Sequence, residues 1–282
     1  MTQPATPADV DRILRRNNVT VTGRGSVPMV FAHGFGCDQV MWRWVAPAFE
    51  ADYKVIRFDH VGSGGADRSA YRRERYDKLE GYAADLLEIL SVLDLPPAIL
   101  VAHSVSGNIG ALAVAREPWR FARFVMIGPS PRFINDVDYT GGFERRDIDE
   151  LLDLMEANHA QWSQQLAPLA MGNLDRPALA QELAVSLCRL DPFVARHFAR
   201  ATFCSDYRHV FPKISVPSLV MQCTADAIAP VCVGEYVHRS IPGSDYVLMK
   251  ATGHLPHLSA PNETIETIKA WLLKRSGEGR SA

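Results

Sequence analysis

The stretch "ILVAHSVSGNIGALAVA", residues 99–115, runs as an apolar strand into an apolar helix and places a histidine and two serines at the join. Small residues, Ala102, Ser106 and Gly107, crowd around Ser104. A strand that turns directly into a helix brings the two backbones almost into contact, so small neighbours are required and the apex side chain is pushed out at the edge of the sheet. Ala102-His103-Ser104-Val105-Ser106 fits that small-x-Ser-x-small turn with Ser104 at its apex. With Ser106 as apex the small positions would be 104 and 108, and Asn108 fits poorly. The competing reading makes Ser104 a helix N-cap, a place where serine is favoured.

The rest of the chain alternates short β-branched runs with longer amphipathic ones. "VTVTG" (19–23) and "PMVFAHG" (28–34) read as an opening pair of strands, followed by "KVIRFDH" (54–60), "AILVAHS" (98–104), "FVMIGPS" (124–130), "SLVMQCTAD" (218–226) and "YVLMKATGH" (246–254). Between them, residues 79–95, 231–241 and 263–275 repeat apolar residues at helical spacing. Near-continuous apolar strands separated by helices predict an α/β protein with a mostly parallel central sheet flanked by helices on both faces. Residues 131–214 break the rhythm. "IDELLDLMEANHAQW", "PALAQELAVSLCRL" and "PFVARHFARATF" read as helices with no strand between them. The prediction is one domain, with residues 1–130 and 215–282 as core and 131–214 as a helical insertion forming a lid.

In such a sheet, chemistry collects at the carboxyl ends of the strands. Ser104, Asp226 and His254 each end a strand, in the chain order Ser, Asp, His. A seryl hydroxyl is a poor nucleophile until an imidazole removes its proton, and the imidazole serves only when an acid fixes its tautomer and stabilises its cation. The three strand ends supply the three parts. Asp59 also ends a strand and is the competing acid, but it precedes the serine, whereas the elbow arrangement places the acid between serine and histidine. A tetrahedral intermediate further needs amide donors for its oxyanion. Val105, opening the helix, offers one; the loop "HGFG" (33–36) offers Phe35, with Gly34 and Gly36 allowing the backbone to turn inward. His33 reads as a brace for that loop by hydrogen bonding.

Composition narrows the rest. Lys and Arg number 30 against 32 Asp and Glu, a net charge of -2, with no long block of either sign, so neither nucleic acid nor a membrane surface is an expected partner. The opening "MTQPATPADVDRILRRNN" lacks the apolar core of a signal peptide, and no later run approaches the roughly 18 apolar residues of a span, which predicts a cytoplasmic protein. Five scattered cysteines form no CxxC pair, "GSGG" (62–65) lacks the lysine of a phosphate loop, and His254 and His257 have no metal-ligating neighbours. No cofactor or metal is expected.

The segments "AHGFGCDQVMW", "FDHVGSGGADRS", "LEGYAADLLEIL", "HSVSGNIGALA", "DPFVARHFARATFCSDYR", "VPSLVMQCTADAIAP" and "GHLPHLSAPNETI" resemble the RsbQ-type α/β-hydrolases, bacterial stress-signalling relatives of the plant karrikin and strigolactone receptors. The resemblance runs from about residue 15 to 275. It implies the α/β-hydrolase fold; Ser104, Asp226 and His254 as catalytic triad; Phe35 and Val105 as oxyanion donors; and a four-helix lid over an apolar pocket at Phe133, Phe143, Trp162 and Phe203. Leu166 belongs to the same apolar set of the insertion. It implies a serine hydrolase acting on a small apolar ester or lactone in an RsbQ-like stress-signalling role, or a ligand-binding signalling module with slow hydrolysis that engages a PAS-containing phosphatase. Cofactor-free perhydrolases keep the same triad; dehalogenases and epoxide hydrolases of this fold use an aspartate where this chain has Ser104. Two positions depart from the family spelling: Ala102 replaces the usual glycine, and Ser106 follows the plant receptors where the RsbQ spelling has glycine.

Overall fold

A computed structural model describes residues 6–278. Seven strands form one sheet: β1 (Thr20–Thr22), β2 (Val27–Ala32), β3 (Tyr53–Phe58), β4 (Ala98–His103), β5 (Phe121–Ile127), β6 (Ser218–Ala225) and β7 (Asp245–Thr252), in the order β1-β3-β2-β4-β5-β6-β7. All neighbours are parallel except β1, which runs antiparallel to β3 at the edge. The two opening strands therefore do not pair with each other; β3 lies between them. The order reverses between β2 and β4, and the crevice outside the carboxyl ends at such a switch point is where ligands bind.

Period-two alternation assigns the two faces of the sheet. Val30, Ile56, Leu100, Phe124, Met126 and Val220 pack on one side, and Met29, Val55, Val101, Val125, Ile127 and Met221 on the other. The helices of the core are α1 (Pro7–Arg16), the single turn α2 (Arg73–Tyr76), α3 (Leu79–Val92) and α4 (Val105–Arg116) before the insertion. The first face is covered by α3 and α4, through Tyr82, Leu86, Ile109 and Val114. Trp42, Phe49, Ile268 and Trp271 cover the second. Each such fully buried large side chain contributes about 1.5–3 kcal/mol relative to exposure.

Between β5 and β6 stand four helices: α5 (Arg145–Ala157), α6 (His159–Met171), α7 (Pro177–Cys188) and α8 (Pro192–Phe203). The run 148–162, read from sequence as one helix, is divided at Asn158. That residue leaves helical geometry at φ -156° and its side chain caps α6 by accepting from the Gln161 amide at 3.0 Å. Asp191 caps α8 in the same way, accepting from the amides of Phe193 and Val194. The stems of the insertion are tied together: the Tyr207 amide donates to the Pro131 carbonyl at 2.9 Å, and Arg132 pairs with Asp206 at 2.8 Å. The chain closes with α9 (Val231–Ser240), α10 (Pro256–Ser259) and α11 (Pro261–Glu278). The four inserted helices share a hydrophobic cluster with Cys37 and Met41, which follow β2, and with Leu255 and Leu258, which follow β7. Among the described residues no helix is long and apolar enough to cross a membrane, and no group of three His, Cys, Asp or Glu could hold a metal ion.

Candidate active site

Ser104 is the single residue between β4 and α4, and its backbone is held at φ 55°, ψ -123°. A non-glycine residue in that region costs of order 1–3 kcal/mol, tolerated only where the surroundings enforce it. Here the Ser104 amide donates to the Ile127 carbonyl of β5 at 2.9 Å and its own carbonyl accepts from the Gly107 amide at 2.7 Å. The left-handed residue is Ser104 itself and not Ala102, so alanine serves where the family usually has glycine. The side chain makes no capping hydrogen bond to α4. It is directed to His254, whose Nε2 lies 2.7 Å from Ser104 Oγ, and the N-cap reading of this serine falls.

On its other side, His254 Nδ1 lies 2.7 Å from Asp226 Oδ2. Asp226 Oδ1 accepts from the amides of Ile228 and Ala229 at 2.8 and 2.9 Å, so the carboxylate is fixed by its own turn. Its acceptor edge toward His254 requires Nδ1 to carry hydrogen and leaves Nε2 free to take the seryl proton. All three residues are buried. Asp59, the competing acid, is occupied elsewhere. Its oxygens accept from the Gln39 amide, the Gly65 amide and the Asn18 side chain, all within 2.8 Å.

His254 is also gripped through its main chain. Its amide donates to the Ala170 carbonyl of α6 at 2.8 Å, and its carbonyl accepts from His103 Nε2 at 2.8 Å. Burial, with His257 and His254 close by, holds His103 well below the ordinary histidine range, so it is a neutral Nε2–H donor. From sequence His103 was visible only as a spacer in the elbow. A Cβ at Gly34 would stand 2.5 Å from His103 Nδ1, which is why that loop position carries no side chain.

The loop after β2 is braced as expected for His33, whose Nδ1 donates to the Gly34 carbonyl at 2.8 Å while its Nε2 accepts from the His60 amide at 3.1 Å. Ser106 adds a second brace. Its hydroxyl donates to the His33 carbonyl at 2.5 Å and accepts from His60 Nε2 at 2.8 Å. Phe35 follows in this loop and shares with Ser104 the wall of a chamber under the inserted helices. Among the described residues no protein acceptor engages the amide of Phe35 or of Val105, which leaves both free to donate.

The chamber measures about 30 Å³, room for about two waters on a scale where one needs roughly 10–15 Å³. Leu166 and Phe203 line it. Phe133 and Trp162 stand one layer behind, edge-on to Phe203 at 5.0 Å and to Phe35 at 6.1 Å, and Phe143 packs half-buried in the same cluster. The wall also includes Leu183, Leu187, Ile228 and Thr202, which sequence reasoning did not single out.

Residues 29–267 match the alpha/beta hydrolase family. Over 254 residues the chain is 40% identical to the Karrikin insensitive 2 receptor CA of Petunia hybrida, covering 89% of this chain and 94% of that one. The strigolactone esterase of Arabidopsis thaliana is 38% identical over 258 residues, 91% of this chain and 96% of its own. Among solved structures, a hydrolase from Oleispira antarctica superposes with a TM-score of 0.91 at 42% identity, covering 94% of this chain and 97% of that one. With the strand-turn-helix serine, the switch-point crevice and these relatives together, the chain belongs to the alpha/beta hydrolase family.

Proposed function

We propose that this protein is a serine hydrolase that cleaves a small apolar ester or lactone, with Ser104, His254 and Asp226 as its catalytic triad and the segment 131–214 as its lid. The observation that carries the reading is one imidazole bridging a strained serine and a fixed carboxylate at 2.7 Å on each side, inside an apolar chamber. His254 Nε2 takes the proton as Ser104 Oγ attacks the carbonyl carbon. Asp226 stabilises the resulting imidazolium, and the amides of Phe35 and Val105 receive the oxyanion. His254 then protonates the leaving alkoxide as the C–O bond breaks. A water repeats the sequence on the acyl-serine, releasing the acid and restoring the hydroxyl. A chamber of about 30 Å³ is far below the roughly 300–1,000 Å³ of ordinary ligand pockets, so the lid must part to admit any ester.

The test is hydrolysis of acyl esters of increasing length together with labelling by a serine-directed phosphonate. Wild type should be labelled and should prefer short, uncharged acyl groups, and Ser104→Ala should do neither. Labelling of the alanine variant at the wild-type rate would remove Ser104 from the mechanism, and efficient cleavage of long-chain or charged esters would refute the small-chamber reading.

A second reading is favoured by the relatives, one named a receptor and another a strigolactone esterase. Here the same chamber binds a ligand, turns it over slowly, and changes the lid so that a protein partner is engaged, in an RsbQ-like stress-signalling role with a PAS-containing phosphatase. Signalling requires two states with different affinities for ligand and partner. Binding of such a phosphatase only when Ser104 is covalently occupied supports this reading. Fast turnover with no occupancy-dependent partner refutes it and leaves a metabolic hydrolase.

A further inference from the structure

Thr202 lies on α8, is 1% exposed, and shares the chamber wall with Ser104 and His254. A threonine inside a helix ordinarily spends its hydroxyl on the carbonyl four residues back. In this protein Thr264 does so to Ala260 at 3.1 Å, and Ser163 to His159 at 2.8 Å. Thr202 does not: its Oγ1 is buried and has no hydrogen-bond partner among the described residues. Leaving a buried hydroxyl unmatched is destabilising, and such a group calls for a specific explanation.

The other hydroxyl and imidazole donors on the wall are already committed, and the unpaired His103 Nδ1 is an acceptor. Ser104 and His254 face each other, and His103 spends its N–H on the His254 carbonyl. Apart from these, the lining consists of aliphatic and aromatic side chains and the Cys37 thiol, a weak donor. The Thr202 hydroxyl is therefore the one strong hydrogen-bond donor that the described chamber holds in reserve away from the bond to be broken.

We infer that Thr202 forms a second polar subsite, and that the natural substrate is an ester or lactone bearing a further acceptor oxygen, an ether or carbonyl, that takes a hydrogen bond from Thr202 Oγ1. The inference rests on the hydrolase reading of the same chamber and deepens it. It makes Thr202 a specificity-determining residue: a plain hydrocarbon ester of equal size leaves the buried hydroxyl unmatched, while the oxygen-bearing one satisfies it. The hydroxyl is not needed for the reaction itself.

Two matched pairs of esters, each exchanging a methylene for an ether oxygen, test it: phenyl butanoate against phenyl methoxyacetate on the acyl side, and butyl acetate against 2-methoxyethyl acetate on the alcohol side. For each pair the ratio of kcat/KM, ether over hydrocarbon, is measured in wild type and in Thr202→Val, which keeps the shape and removes the hydroxyl. Dividing one ratio by the other cancels the intrinsic reactivity of the esters. The expected result is a preference about tenfold larger in wild type for at least one pair, the value of one neutral hydrogen bond, with Thr202→Ser restoring it. Thr202→Val should also melt at or above wild type, since it removes an unmatched polar group. Ratios equal within twofold in both pairs overturn the subsite while leaving the hydrolase intact, because turnover and labelling of Ser104 by the phosphonate persist. If no ester is turned over and Ser104 is not labelled, the hydrolase reading fails. The same four compounds titrated calorimetrically into wild type and Thr202→Val then decide the subsite, equal affinity ratios overturning it.

Discussion

Asp226→Asn tests the centre of the site with almost no change of shape. Asp226 Oδ1 accepts from two backbone amides, Ile228 and Ala229, and Oδ2 faces His254 Nδ1 at 2.7 Å. An asparagine must keep its carbonyl oxygen toward those two amides, because its NH₂ cannot accept from them. The NH₂ is thereby turned onto His254 Nδ1, which has to become an acceptor. The proton moves to Nε2, where it points at Ser104 and blocks the general base. The lost charge adds to this: at an effective dielectric of about 20, two unit charges about 4 Å apart attract by about 4 kcal/mol. At 1.36 kcal/mol per tenfold in rate, that alone is about a thousandfold. With the wrong tautomer included, the fall in kcat reaches about ten thousandfold, as in other serine triads. The measurement is steady-state hydrolysis of a short phenyl ester, accompanied by thermal denaturation, in which Asp226→Asn should melt within a few degrees of wild type because both turn amides stay satisfied. A folded variant retaining more than a tenth of wild-type kcat would show that His254 is oriented by something other than Asp226.

Other outcomes follow from the same geometry. Ser104→Gly and Ser104→Ala should both be inactive, but the glycine variant should melt higher, because φ 55° is open to glycine and strained for alanine by about 1 kcal/mol or more; equal melting temperatures would show that the turn stores no strain. Ser106→Ala removes the donor to the His33 carbonyl and should lower kcat by about tenfold with KM nearly unchanged, since the oxyanion loop loosens while the chamber stays; a change confined to KM would give Ser106 a role in binding instead. Burial pushes His257 down to about 3 and holds His60 and His103 well below the usual range, so all three are neutral when folded and take protons only on unfolding. Stability should fall as pH drops from about 6.5 towards 4.5, by about 1.4 kcal/mol per pH unit for each such imidazole. His257→Phe, which keeps a ring against Trp42, should make the slope from urea denaturation shallower by that amount, and an unchanged slope would mean that His257 does not contribute to it.

The elbow could be read from residues 99–115 because its cause is local: small side chains at 102, 106 and 107 are demanded by the contact of two adjacent backbones. Asp226 and His254 were legible because each ends an apolar run, and the strands of a parallel sheet all open on the carboxyl edge where chemistry collects. The order itself was not legible. Nothing within residues 19–34 says that β3 inserts between β1 and β2, since pairing partners are chosen by the whole sheet. The break at Asn158 was hidden by continuous apolar periodicity across it. In the insertion, the sequence marked Phe133 and Trp162 as large and apolar but could not say which layer each occupies; that depends on how four helices turn against one another, and only Leu166 and Phe203 of the expected set reach the chamber wall. Thr202 gave no signal, because a threonine among Ala199, Ala201 and Phe203 reads as ordinary helix interior until its missing hydrogen bond is seen.

The grip on the main chain of His254 has a mechanical consequence. Its amide is bound to α6 and its carbonyl to the elbow, so this one residue is riveted to the roof on one side and to the floor on the other. The rivet is reinforced nearby by Asn173, just past the end of α6, whose side chain donates to the Thr252 carbonyl at 3.0 Å. If the roof lifted at the end of α6, it would drag the imidazole away from Ser104 and open a mouth onto a disarmed serine. On the proposed hydrolase reading, a door that admits substrate to an assembled triad swings from this edge and parts at the opposite one, where the Ser186 hydroxyl of α7 donates to the Gly36 carbonyl of the loop after β2 at 2.7 Å and has to let go. On that reading, entry and catalysis are compatible because the edge that stays fastened is the one that carries His254.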